Sequence, residues 1–294
     1  MSPNRHGGHW TETKLDALEK YLNAYLSILK GNSRAQFLRT HYVDAFAGST
    51  RRANKTSGDR NLPFDEADRE EKEAYAAGSV RRALGLAMAF DRYHFAEINP
   101  RYCEELQQTI QAEFPERAEQ CHVYPLDANE MLEQWVNGLG RLDRGVVFLD
   151  PYGMQVRWET IERLGRSQKV DLWMLFPYSA VNRLLRNDRQ IDQAWREALD
   201  RFFGDGSWEG EFFRESATRD LFDQQPTLER RVDTEGVARY LVRKLKGVFT
   251  AVHEPPLVLK NTRGSPLFLL VFAVGNPKAV GAAMKIAGDI LKTA

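Results

Sequence analysis

Two periods organise the apolar positions of this chain. Between residues 12 and 30, Leu15, Leu18, Leu22, Tyr25, Leu26 and Leu29 fall at three- and four-residue steps, and Gly31 supplies a stop. That spacing predicts a helix with one packed face. Residues 41–46 read instead as a short apolar strand closed by Ala47-Gly48, followed over 49–65 by a polar, basic, turn-rich loop. Residues 65–75 are mostly charged and predict a solvated segment, after which Gly78-Ser79 opens a second apolar helix carrying Ala83, Leu84, Leu86, Ala87 and Met88.

Strands and helices then alternate. Residues 93–98, 122–126, 146–150 and 171–176 have strand patterns, separated by helical patterns over 100–113, 129–139 and 158–166. Such alternation implies right-handed crossovers and a parallel sheet. The unbroken apolar runs Val146-Val147-Phe148-Leu149 and Leu172 to Phe176 suit central strands covered on both faces. Beyond Tyr178 the pattern turns to charged, aromatic-bearing helices, read as an all-helical insertion. Residues 234–248 resemble a surface helix, 256–260 and 267–275 a terminal hairpin, and 277–291 a last amphipathic helix. The expected organisation is an α/β protein with a doubly wound, mostly parallel, Rossmann-like sheet. It has a helical segment over 1–40, a core over 41–178, the insertion over 179–233 and a completion of the core over 234–294.

Composition narrows the function classes. The chain has 294 residues, 43% hydrophobic, enough for one large core with an insertion. Lys plus Arg equals Asp plus Glu at 41 each, so no bulk positive field attracts polyanions and any nucleic-acid contact must be local. The two cysteines, Cys103 and Cys121, lack metal-ligand or disulfide-framework spacing, which predicts no metal and a reducing compartment. Residues 1–10 are polar, and no apolar run reaches ~18 residues. The expectation is a cytoplasmic protein without a membrane segment.

Ligands of doubly wound sheets lie beyond the carboxyl ends of the strands. Here each end carries an acid: Asp44-Ala45-Phe46-Ala47-Gly48, then Glu97-Ile98-Asn99-Pro100, then Asp127-Ala128, then Asp150-Pro151-Tyr152-Gly153. A small-residue loop lets a nucleoside-bearing cofactor approach backbone, one acid can accept from ribose hydroxyls, and Asp127 can accept from an adenine amine. Taken singly, Asp44 and Asp127 also read as helix caps, Glu97 as a solvated strand end and Ala47-Gly48 as a tight turn.

The ladder VDAFAG, FAEINP, PLDA and FLDPYG resembles the first four motifs of class I methyltransferases that use S-adenosylmethionine (SAM). The resemblance implies SAM as cofactor and a six- or seven-stranded sheet with an antiparallel last strand. It places Asp44, Phe46, Ala47 and Gly48 in the cofactor loop, Glu97 and Ile98 at the ribose, and Asp127 and Ala128 at the adenine edge. Asp150-Pro151-Tyr152 is similar to the Asp-Pro-Pro-aromatic motif of enzymes that methylate exocyclic amines of bases, with one proline in place of two. That implies catalytic roles for Asp150, Pro151 and Tyr152. More narrowly, HWTETKLDALEKYL, HYVDAFAGS, GSVRRAL, FLDPYG, AVNRLL and LDRFFGDGSW together resemble the three-Cys-motif partner family across essentially the whole chain. This implies a partner bearing a three-cysteine, iron–sulfur-like motif.

Further residues carry two readings each. Trp10 and Lys14 either close over a ligand or anchor the first helix. Arg51 and Arg52, with Lys55 and Arg60, form either a phosphate-gripping lid, and so a substrate contact, or a solvated loop. Arg183, Arg186 and Arg189 form either a phosphate stripe, with Arg183 at the substrate, or ordinary surface charge. Tyr178, with Pro177, would line the substrate wall, and Ser79 and Arg81 either hold an anion or cap a helix. Two other function classes stay open: a non-catalytic, SAM-binding partner module, and a nucleotide-binding enzyme of another reaction type. The lack of GxxxxGK[ST] and of a full GxGxxG disfavours nucleoside triphosphatase and dinucleotide readings.

Overall fold

Leu15, Leu18, Leu22 and Leu26 are all buried on helix α1 (His9–Gly31), which confirms the packed stripe read from their spacing. The computed structural model describes residues 9–48, 76–185, 191, 193–215 and 228–294. The expected basic loop, with Arg51 and Arg52, lies outside the described residues, as do Arg186 and Arg189.

After α1 the chain runs through β1 (Arg39–Asp44), α2 (Ala76–Leu84), β2 (Arg92–Ala96), α3 (Pro100–Glu113), β3 (Cys121–Tyr124), α4 (Ala128–Asn137), β4 (Asp143–Leu149), α5 (Trp158–Arg166) and β5 (Val170–Phe176). These five strands are parallel and lie in the order β3-β2-β1-β4-β5. The sheet continues through β10 (Pro266–Val274), antiparallel to β5, to β8 (Ala251–Val252), and β9 (Leu257–Lys260) also pairs with β10. The chain is therefore an α/β protein with a mostly parallel central sheet, of eight strands rather than the six or seven expected.

Alternation along the strands divides the interior into two layers. Tyr42, Val146, Phe148, Trp173 and Leu175 pack with α1, α2 and α10 (Val280–Lys292) on one face. Val43, Val147, Leu149, Leu172 and Met174 pack with α4, α5 and the insertion on the other. Period-two side chains on doubly covered strands give that division. Orientation matters for the site. Lys14 reaches Asp150 beyond β4, whereas Tyr21 reaches Asp171 near the start of β5, so α1 begins at the carboxyl edge of the sheet and runs toward its amino edge.

The insertion is not all-helical. After α6 (Tyr178–Leu184), α7 (Gln193–Phe203) and α8 (Ser207–Phe212), the strands β6 (Phe213–Glu215) and β7 (Leu228–Arg230) form a separate antiparallel pair. Three residues each, FRE and LER, are too short to display alternation. Helix α9 (Thr234–Lys246), expected on the surface, buries Val237, Tyr240, Leu241, Val242 and Leu245. No helix among the described residues is long and apolar enough to cross a membrane.

Candidate functional site

The strands stop earlier than their apolar runs because the acids at their ends turn back onto backbone. Asp44 Oδ1 accepts from the Phe46 N–H at 3.1 Å, a Glu97 oxygen from the Asn99 N–H at 2.8 Å, and Asp127 Oδ1 from the Asn129 N–H at 2.9 Å. Each bond closes a turn over the next residues and ends strand pairing. The four acids then lie along one edge of adjacent strands in the order Asp127, Glu97, Asp44, Asp150.

Asp44 is fully buried. Ser79 Oγ, expected either to hold an anion or to cap a helix, donates to its Oδ2 at 2.6 Å. Burial pushes the Asp44 carboxyl up to about 7, against the Ser79 and Phe46 hydrogen bonds; nearby Asp150 adds to the rise and Lys14 opposes it. The loop above it is pinned by Ala45 N–H to Phe148 O at 3.3 Å and Ala47 N–H to Ala96 O at 3.1 Å. Ala47 is buried and Phe46 partly so. Gly48 closes the loop at φ 63°, where an L side chain is strained, and its N–H bonds the Glu97 carboxylate.

Glu97 therefore receives two backbone donors, yet burial still raises its carboxyl above the ordinary range. Beside it Ile98 is 68% exposed, more than Phe37, Ile28 or Leu142, the other exposed large apolar residues among those described. Asp127 caps α4, taking the Asn129 and Glu130 N–H groups on Oδ1, so the cap reading is correct. Those bonds use one carboxylate oxygen. Ala128, at the first position of α4, is buried.

Asp150 is held by Lys14, whose Nζ lies 2.5 Å from Oδ2 with both side chains largely buried, 3% and 12% exposed. Lys14 also stands over the Trp10 ring, 5.0 Å from its centroid, and that ring stacks on Phe268 at 4.9 Å. Trp10 is thus a packing anchor, while Lys14 belongs to the site. On the same turn of α1, Trp10 Nε1 and Thr11 Oγ1 are buried without a hydrogen-bond partner among the described residues, as is the Tyr42 hydroxyl on β1. Buried polar groups are ordinarily paired, so their concentration at one end of α1 marks a place suited to a polar ligand.

The Asp150-Pro151-Tyr152 loop turns at Gly153, φ 83°, and Tyr152 N–H bonds Gln155 Oε1 at 2.9 Å. Its far side hangs on Asn129, a buried side chain that donates to Gln155 O and accepts from Arg157 N–H and Thr160 Oγ1. One asparagine thereby ties the Asp127 end to the Asp150 loop. Neither Asn129 nor the Lys14–Asp150 pair was evident as site structure in the sequence. Lys14 on a packed helix and Asn129 just after an N-cap were the available signals.

Other expected residues stand apart. Tyr178 is only 4% exposed; its hydroxyl bonds Asn182 Oδ1 at 3.2 Å and accepts from Thr234 Oγ1 at 2.9 Å, so it joins α6 to α9. Phe176 is buried against Phe202 and Phe203. Arg183 sits half-buried in the last turn of α6, and Arg81 pairs with Glu113. Among the described residues no group of three or more His, Cys, Asp or Glu could hold a metal ion. Cys103 and Cys121 are unpaired thiols, the latter pushed up to about 12 by burial. A concavity of about 700 Å³ lies elsewhere, against α3 and β3, lined by Gln107, Gln108, Gln111, Cys121 and Val123 among others. None of the four acids lines it.

No protein-family model matches the sequence, and no curated protein matches it. Among solved structures, the chain is similar to protein LPL1258 from Legionella pneumophila str. Philadelphia 1, of family model DUF519. The identity is 14%, with 98% of this chain and 92% of that chain covered, at a TM-score of 0.46.

Proposed function

We propose that this protein is a SAM-dependent methyltransferase of the class I fold, acting on an exocyclic amine of a nucleobase and working with a three-cysteine-motif partner. The observation that carries the reading is the single edge on which Asp127, Glu97, Asp44 and Asp150 follow one another, with Gly48 bonded to Glu97 across two strands. The antiparallel β10 supports it, since the motif resemblance called for such a strand.

The donor set fits the cofactor. Glu97 would accept from the ribose hydroxyls, exposed Ile98 would cover an adenine face, and Asp127 would take the adenine amine. Trp10 Nε1 and Thr11 Oγ1 are donors without partners among the described residues, where a carboxylate could use them. When bound, the cofactor supplies an electrophilic methyl group on a sulfonium. The protein's own work is alignment. Asp150 accepts one N–H of the amine, the Pro151 carbonyl accepts the other, and Tyr152 stacks on the base. The Lys14 ammonium offsets the Asp150 charge in this largely buried place, so a neutral amine suits the remaining space better than a cationic one.

The test is transfer of tritiated methyl from SAM to RNA or DNA, with and without the partner protein. Counts in nucleic acid that fall at least a hundredfold in Asp150→Asn support the reading. Cofactor binding without transfer to any acceptor favours the alternative, a non-catalytic SAM-binding partner module. The Lys14 ammonium already seated on Asp150 is the observation in that alternative's favour.

A further inference from the structure

We propose that the amino edge of the sheet, opposite the candidate site, is a docking surface for single-stranded nucleic acid. Many exposed arginines elsewhere are matched with acids: Arg81 with Glu113, Arg82 with Asp16 and Glu19, Arg163 with Glu133, Arg243 with Glu211. Arg34, Arg92 and Arg141 have no carboxylate partner among the described residues, and all three lie at this edge; Arg144 beside them is half-buried, with its guanidinium on the Arg141 and Asp143 carbonyls and its charge close enough to act on Asp171. Arg34 is in the turn before β1, Arg92 begins β2, and Arg141 and Arg144 flank the start of β4. The acids there are already engaged, Asp91 by Lys30 and Thr40, and Asp143 by Arg39. The turn before β3 carries Glu116 and Glu119 and bounds the patch on that side.

The same turns display Phe37, 59% exposed, and Leu142, 43% exposed. They are neighbours, because the Arg39 N–H bonds Leu142 O at 3.0 Å. Planar guanidinium groups bind phosphates bidentately, and an exposed aromatic ring is a platform for an unpaired base. In a chain whose charges balance overall, such binding needs a local concentration of unmatched cations, which this edge supplies. From Arg39 to Asp44, β1 spans about 17 Å. A strand docked here therefore leaves the Asp150 edge open. The proposal needs neither cofactor nor methyl transfer.

The test is fluorescence anisotropy of fluorescein-labelled 20-nucleotide oligouridylate and oligothymidylate, without cofactor, at salt from about 50 to 200 mM. Expected is micromolar binding of either oligomer at the lower salt. The double variant Arg92→Glu/Arg141→Glu weakens it at least tenfold and flattens the salt slope by about 1.4, roughly 0.7 per lost phosphate contact. Phe37→Ala weakens it about tenfold with the slope retained. Arg239→Glu, on the far surface, leaves it unchanged. Unfolding curves matching wild type establish that the variants are folded; if the double variant does not fold, Arg34→Gln/Arg92→Gln replaces it. Absence of binding at 50 mM salt overturns the proposal, as does equal weakening by Arg239→Glu. Binding of labelled oligoglutamate in place of the oligonucleotides also overturns it and assigns the edge to an acidic protein.

Discussion

Replacing His94 by Phe should remove much of the protein's sensitivity to mild acid. His94 on β2 and His41 on β1 form a buried chain: His41 Nδ1 lies 3.1 Å from His94 Nε2, and His94 Nδ1 lies 2.9 Å from the Tyr124 hydroxyl. Trp135 Nε1, which can only donate, also points at His41 Nδ1, 3.3 Å away. His41 Nδ1 is therefore an acceptor, His94 Nε2–H donates to it, and Tyr124 O–H donates to His94 Nδ1. His41 Nε2–H is left facing Asp143 Oδ1 at 3.4 Å. Both imidazoles are neutral in this arrangement. Burial, with His41, His122 and Arg92 adding to it, lowers His94 from 6.5 to about 3.

A lowered histidine contributes stability that is present above its unfolded pKa and is lost as pH falls from there toward the folded value. At pH 5 the unfolded state has taken up the proton and the native state has not. The loss is 2.303RT times 1.5 pH units, about 2 kcal/mol. Urea unfolding at pH 7.5 and 5.0 measures it. His94→Phe should cost about 1–3 kcal/mol at pH 7.5 through the lost hydrogen bonds. Between the two pH values it should lose about 2 kcal/mol less than wild type. Contributions from groups that do not act on His94, including Asp44, cancel in that difference. Equal losses in both proteins would refute the neutral histidine chain.

Three further outcomes are expected. Tyr21→Phe removes the donor 2.7 Å from buried Asp171, whose carboxyl burial raises to about 7. A raised carboxyl contributes stability below its unfolded pKa that is lost as pH climbs to the folded value. The variant should therefore lose about 1–3 kcal/mol by urea unfolding, and more at pH 8 than at pH 5. Gly204→Ala places a methyl 2.3 Å from the Trp158 ring at φ 86°, so a fall in Tm equivalent to about 2 kcal/mol or more should follow. Lys14→Met, which takes the ammonium away from the largely buried Asp150 carboxylate, should cost about 3–5 kcal/mol, and Lys14→Met/Asp150→Leu should recover most of it in a double-mutant cycle.

The parallel core was legible because its signals are local and periodic: α3 and α5 occur where their patterns placed them, and the continuous runs of β4 and β5 became doubly covered strands. Elements with too few residues to carry a period were not, namely β6, β7 and the two-residue β8, which exists only through pairing with β10. The acid ladder could be read because three of its acids, Asp44, Glu97 and Asp127, close the turns that follow them. What holds the site was hidden, since Lys14 meets Asp150 136 residues away and Asn129 bridges to a loop 26 residues on. The partners of Tyr178 were hidden for a related reason. An aromatic at a strand end looks available for substrate until a distant Thr234 is found on its hydroxyl.

The most direct test of the proposed function is calorimetric titration of the purified protein with SAM and its demethylated product, repeated on Glu97→Ala. The account predicts micromolar binding of both to wild type and at least a hundredfold weakening in the variant, with unfolding curves alike. Absence of binding by the folded wild type, or binding that Glu97→Ala leaves unchanged, would contradict it.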